Sequence, residues 1–61
     1  MPIVQVSLYS GRTPKQKKDL AVAITKAISE TAGIEDSQTT ITFQDIEKES
    51  WSVGGKMASD D

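Results

Sequence analysis

Between Ile3 and Tyr9 the chain alternates. Val4, Val6 and Leu8 fall on one side and Gln5 and Ser7 on the other, in residue types that favour strands. Ser10 and Gly11 end the alternation as a turn. The period then changes to that of a helix. Thr13-Pro14-Lys15-Gln16 supplies a capping hydroxyl, a proline suited to the first helical position and a glutamine where a capping box places it. Leu20, Ala23, Ile24, Ala27, Ile28 and Thr31 follow as one apolar or small stripe. Lys17, Lys18, Lys26 and Glu30 lie mostly off it, and Gly33 suits the residue just past a helix end. The spacing predicts a helix over Pro14 to Ala32, about 28 Å long. Alternation returns from Thr39 to Ile46, with Ile41 and Phe43 opposite Thr40, Thr42 and Gln44. Trp51-Ser52-Val53-Gly54-Gly55 reads as a short strand or hairpin, followed by a solvated acidic tail ending in Asp60 and Asp61.

Strand, helix and strand with short connections make a βαβ unit, whose strands are parallel and whose crossover is right-handed. The expected fold class is α/β: a single βαβ unit plus a short C-terminal hairpin, as one domain over residues 1–61. Such a unit leaves two sheet edges open and one sheet face without a helix. Two copies joined edge to edge give a four-stranded sheet with two helices on one side. The half-polar second face then meets solvent or further copies.

Composition sharpens that expectation. A chain of 61 residues buries only about 60% of its unfolded surface, so its own core is marginal. It has no Cys and no His, which removes disulfides, the common metal-ligand sets and Cys- or His-based nucleophilic chemistry. Association with further copies is the stabilising device that remains. A net charge of −2 without a basic patch argues against nucleic acid or an anionic membrane as partner. The absence of a long apolar run, of a leader pattern and of Cys suits a cytoplasmic protein.

Few residues remain to carry chemistry. Pro2 becomes a secondary amine if Met1 is removed, and a small second residue favours that removal. An α-amino group titrates near 7.7–8.0, and desolvation or a nearby cation lowers that value, so the amine is the best general base in a chain without His. Its other role is to start an edge strand. Arg12, the only arginine, stands in the turn before the helix, where its guanidinium can fork a carboxylate or remain a solvated charge. Strand rise sets it about 25–30 Å from Pro2, so the two meet only across a subunit interface. Trp51 either walls an apolar pocket or anchors its arm on a neighbour. Glu47-Lys48-Glu49 reads as solvated charge.

The opening Met1-Pro2-Ile3-Val4-Gln5-Val6, the turn Gly11-Arg12-Thr13 with Gln16-Lys17, and the close Trp51-Ser52-Val53-Gly54-Gly55-Lys56 occur in one order and spacing. Together they resemble the 4-oxalocrotonate tautomerase group of the tautomerase superfamily, over nearly the whole chain. The resemblance implies a βαβ protomer, a dimer with a four-stranded sheet, and a homohexamer built as a trimer of dimers. It implies an isomerase without metal or organic cofactor, acting in aromatic catabolism on a small anionic substrate. Pro2 falls on the family's amino-terminal general base, which moves a proton between a 2-hydroxydienoate such as 2-hydroxymuconate and its keto isomer. Arg12 matches the arginine that holds the substrate's distal carboxylate from an adjacent subunit. Trp51 stands where the family has an aromatic in the apolar wall.

One position departs from the family. By ungapped counting, Thr40 occupies the place of a second arginine that binds the C1 carboxylate and the neighbouring oxygen. A hydroxyl does not offset that charge, and the lost charge-assisted bond costs about 1.5–3 kcal/mol. This favours a monoacid substrate of the phenylpyruvate type, unless Lys48 or Lys56 of a neighbour supplies the cation. A catalytically silent oligomeric module is the non-enzymatic alternative. Dehalogenase or hydratase chemistry needs an acid to activate water, and only Glu47 and Glu49 lie near Trp51 in sequence. While Met1 is attached, the Pro2 nitrogen is an amide without basicity.

Overall fold

The structure, a computed structural model, describes residues 1–60, so the expectation for Asp61 lies outside the described residues. Strand β1 spans Ile3–Tyr9, helix α1 spans Pro14–Ala32 and strand β2 spans Thr40–Ile46. Single 3-10 turns at Asp36–Gln38 and Lys48–Ser50 flank β2. The first of these takes up Thr39, which the alternation had assigned to the strand.

Each boundary of α1 has a local cause. Thr13 is extended (φ −74°, ψ 156°), and its Oγ1 accepts the Gln16 N–H at 3.1 Å while Gln16 Oε1 accepts the Thr13 N–H at 3.0 Å. Both bonds of the capping box are therefore made, with Pro14 beside them. At the other end Gly33 adopts φ +68° and donates its N–H to the Ser29 carbonyl at 3.1 Å. A side chain there would strain the left-handed turn that stops the helix.

β1 and β2 pair in parallel, in a register running from Ile3 opposite Thr40 to Tyr9 opposite Ile46. That register stacks Val4 beside Ile41 and Val6 beside Phe43 on one face, all half-buried beneath α1. Lys17 reaches from the helix to Asp45 at 2.6 Å and closes the far end of this layer. The opposite face carries Ile3, Gln5 and Ser7 with Thr40, Thr42 and Gln44, all exposed, with a Gln5 to Gln44 hydrogen bond at 3.3 Å.

The helix meets the sheet on a stripe rotated from the expected one. Lys17, Ala21, Ile24, Thr25, Ile28 and Ser29 are half-buried, whereas Leu20, Ala23, Ala27 and Thr31 are exposed. Two strands are too narrow to cover the whole apolar arc, so its outer half stays free. Lys17, expected off the stripe, lies over the sheet because Asp45 draws its ammonium there.

After β2 the chain forms an arm. β3 (Ser52–Val53) and β4 (Lys56–Met57) pair antiparallel. Gly54 and Gly55 join them at φ +62° and +86°, the two positive values that a type I′ hairpin requires. The arm makes the protomer long and thin, 43 × 25 × 14 Å. Its radius of gyration is 14.5 Å, against about 10.5 Å for a compact chain of this length. No described residue is fully buried. The surface of 4692 Å² exceeds by about 800 Å² the roughly 3,900 Å² expected of a compact monomer of this mass. That excess equals about one partner's share of a standard interface.

Candidate active site

The parallel register divides the sequence-derived residues into two pairs. Pro2 and Thr40 are neighbours at the beginning of the sheet, where the Thr40 N–H donates to the Pro2 carbonyl at 3.0 Å. This bond fixes Pro2 as the head of β1 and leaves its ring half-buried. Met1 is 88% exposed. Thr40 is exposed on the open face beside Ile3, and no charged residue occupies positions 1–5 or 37–44.

Arg12 and Trp51 lie at the other end. Arg12 is exposed in the turn that follows β1, three residues past Tyr9. The turn is tied to β2 by the Ser10 N–H, which donates to the Ile46 carbonyl at 3.0 Å. The Trp51 ring rests against Tyr9 with centroids 4.5 Å apart and planes tilted by 56°. The Ala58 N–H donates to the Trp51 carbonyl at 2.8 Å and so fastens the arm behind the ring. Within one protomer Trp51 therefore anchors the arm on its own β1, where the sequence had offered a neighbour.

Around this aromatic pair lies an open depression of about 210 Å³, lined by Tyr9, Trp51, Val53, Lys56, Met57 and Asp60 among others. Lys48 Nζ sits 5.7 Å from the Tyr9 ring centroid, within cation–π range, and makes no ion pair among the described residues. Glu47, Lys48 and Glu49 line an adjoining shallow hollow with Ser10 and Ser59. This end of the sheet thus combines a flat apolar wall with three cationic side chains that make no ion pair among the described residues, Arg12, Lys48 and Lys56. The other end offers the Pro2 nitrogen and hydroxyl groups but no cationic side chain on its strands. Neither end alone holds both a base and an anion clamp.

Sequence reasoning missed Tyr9. It is the last residue of β1 and the only aromatic on a face otherwise bearing Ile3, Gln5 and Ser7, and that aromatic was the available signal. Half-buried, with its partner Ile46 also half-buried, it is where the arm lands.

Comparison with known proteins bears on the family and the fold. Residues 2–61 match the family model described as tautomerase enzyme. A probable tautomerase of Bacillus cereus is 42% identical over 60 residues, covering 98% of each chain. The 2-hydroxymuconate tautomerase of Bacillus subtilis is 35% identical over 60 residues, covering 98% of this chain and 97% of the relative. Among solved structures, YwhB, a homologue of 4-oxalocrotonate tautomerase, superposes with a TM-score of 0.91 at 34% identity over 97% of both chains. A 4-oxalocrotonate tautomerase isozyme from Methylibium petroleiphilum gives the same TM-score at 36% identity, over 95% of this chain and 91% of its own. On sequence and fold together, the chain belongs to the tautomerase family.

Proposed function

We propose that this protein is a cofactor-independent keto–enol tautomerase acting on a small 2-hydroxydienoate or 2-oxoacid. The observation that carries this reading is Pro2, heading β1 next to an exposed Met1, in a chain of this family. Hydrolysis of the Met1–Pro2 peptide bond turns an inert amide into a secondary amine. That amine takes the proton from the substrate's enol hydroxyl, whose electron pair forms the carbonyl. The conjugated double bonds shift, and the protonated amine returns the proton to the carbon at the far end. Its reference pKa near neutrality suits both directions of the transfer.

The site is completed by association. Arg12 of a neighbouring protomer holds a carboxylate, and its Trp51 and Tyr9 form the apolar wall over which the conjugated chain lies. Two protomers joined along their sheet edges make a four-stranded sheet with two helices, and further pairs close on the open face as a hexamer. The free outer stripe of α1, with Leu20, Ala23 and Ala27, supports helix-to-helix contact in such a pair. So does the absence of any fully buried residue among those described.

The test is an assay of protein shown by intact mass to lack Met1, with 2-hydroxymuconate and phenylpyruvate as substrates. Turnover of at least one is expected, and silence toward both overturns the proposal. Thr40 favours a second reading of the substrate. With no cation beside Pro2, a monoacid loses less than a diacid, so phenylpyruvate is expected to be the relatively better substrate than in a member with arginine there.

A further inference from the structure

One side chain near Pro2 has no role in the account above. Thr39 closes the 3-10 turn before β2, with its N–H bonded to the Asp36 carbonyl at 3.1 Å. Its Oγ1 is buried and has no hydrogen-bond partner, the one such side-chain oxygen or nitrogen among the described residues. A buried hydroxyl without a partner costs stability and calls for a reason. The register gives its position. Ile3 stands opposite Thr40, and the Thr40 N–H binds the Pro2 carbonyl, so Thr39 stands opposite Pro2, one step before the paired strands begin.

The Pro2 nitrogen, bonded to Met1, carries no hydrogen. We infer that removing Met1 creates the missing partner: the neutral Pro2 amine donates its single N–H to Thr39 Oγ1. The inference rests on the reading of Pro2 as base. A free secondary amine inverts between two forms, and tethering the N–H leaves the lone pair in one direction, open to the substrate. When the amine takes up a proton, the second N–H is the one exchanged with substrate, and the bond to Thr39 becomes charge-assisted and stronger. Thr39 is thus a positioning residue, and its hydroxyl favours the protonated amine modestly.

The charged side chains on the segments around this end are Lys26 and Glu30 on α1 and Glu35 and Asp36 before and in the 3-10 turn, all exposed. β1 carries no titratable side chain before Tyr9, and β2 none before Asp45. These groups act equally on the parent protein and on a Thr39 variant, so a difference between the two reports the hydroxyl.

The experiment is a ¹⁵N NMR titration of the Pro2 amine in Met1-free protein, which needs no substrate. Thr39→Val keeps the branched shape and removes the acceptor, and the amine is expected to titrate about half a unit lower. Thr39→Ser should match the parent, and Thr39→Ala serves if the valine variant does not fold. In parallel, kcat should fall about tenfold with KM nearly unchanged, as expected when a base is misaimed. A midpoint in the valine or alanine variant that is unchanged or higher overturns the inference. Because the titration reads the amine directly, this failure is distinct from a lack of turnover, which would count against the tautomerase reading itself.

Discussion

At the scale of the residue, the chemistry is concentrated in few positions because the chain has no other candidates. Pro2→Ala keeps the amino terminus processable but replaces a secondary amine by a primary one. A fall in kcat/KM of about 100-fold with an unchanged circular dichroism spectrum is expected. On the proposed role of Arg12, Arg12→Ala would remove a charge-assisted, two-pronged contact worth about 1.5–3 kcal/mol, so kcat/KM for 2-hydroxymuconate should drop about 10- to 150-fold. The loss should be smaller for a substrate whose far end carries no carboxylate, and steady-state kinetics on the two substrates tests both statements. What the sequence disclosed here was uneven. Pro2, Arg12 and Trp51 stand out as a terminal proline, a lone arginine and a lone tryptophan. Tyr9 and Thr39 do not, because the value of each depends on a neighbour brought by the fold: the Trp51 ring for one, and the strand opposite Pro2 for the other.

At the scale of the element, the strongest local signals were also the ones the structure obeys most closely. The capping box at Thr13 and Gln16, Pro14 after it and Gly33 at the close fix α1 through bonds within a few residues of one another, so they can be read without knowing the fold. Thr13→Ala should destabilise the protein by about 1 kcal/mol, measured as a lower chemical-denaturation midpoint at fixed protein concentration. The helix stripe was less legible. Its period was clear in Leu20, Ala23, Ile24, Ala27 and Ile28, but which part faces the sheet depends on a width of two strands and on the Lys17–Asp45 pair. The 3-10 turns around β2 carry no periodic pattern at all, being only three residues each. The hairpin was visible through Gly54-Gly55, although its second strand lay beyond the predicted segment.

At the scale of the whole molecule, a layer of one helix on two strands cannot exclude water from both of its faces. Leu20→Asp on the uncovered helix stripe should lower the oligomeric state seen by sedimentation and reduce activity with it, while the parent's melting temperature should rise with protein concentration. The separation of Pro2 from Arg12 along β1 reaches further. On the proposed site each centre is shared between two copies of the chain, and defects in different copies need not coincide. Pro2→Ala protomers and Arg12→Ala protomers, each nearly inert alone, should regain activity when unfolded together and reassembled. Random mixing in equal parts returns about a quarter of the centres with an intact proline facing an intact arginine. On that reading two damaged alleles in one cell would rescue one another in the same proportion, because each copy would own half of a centre at either end.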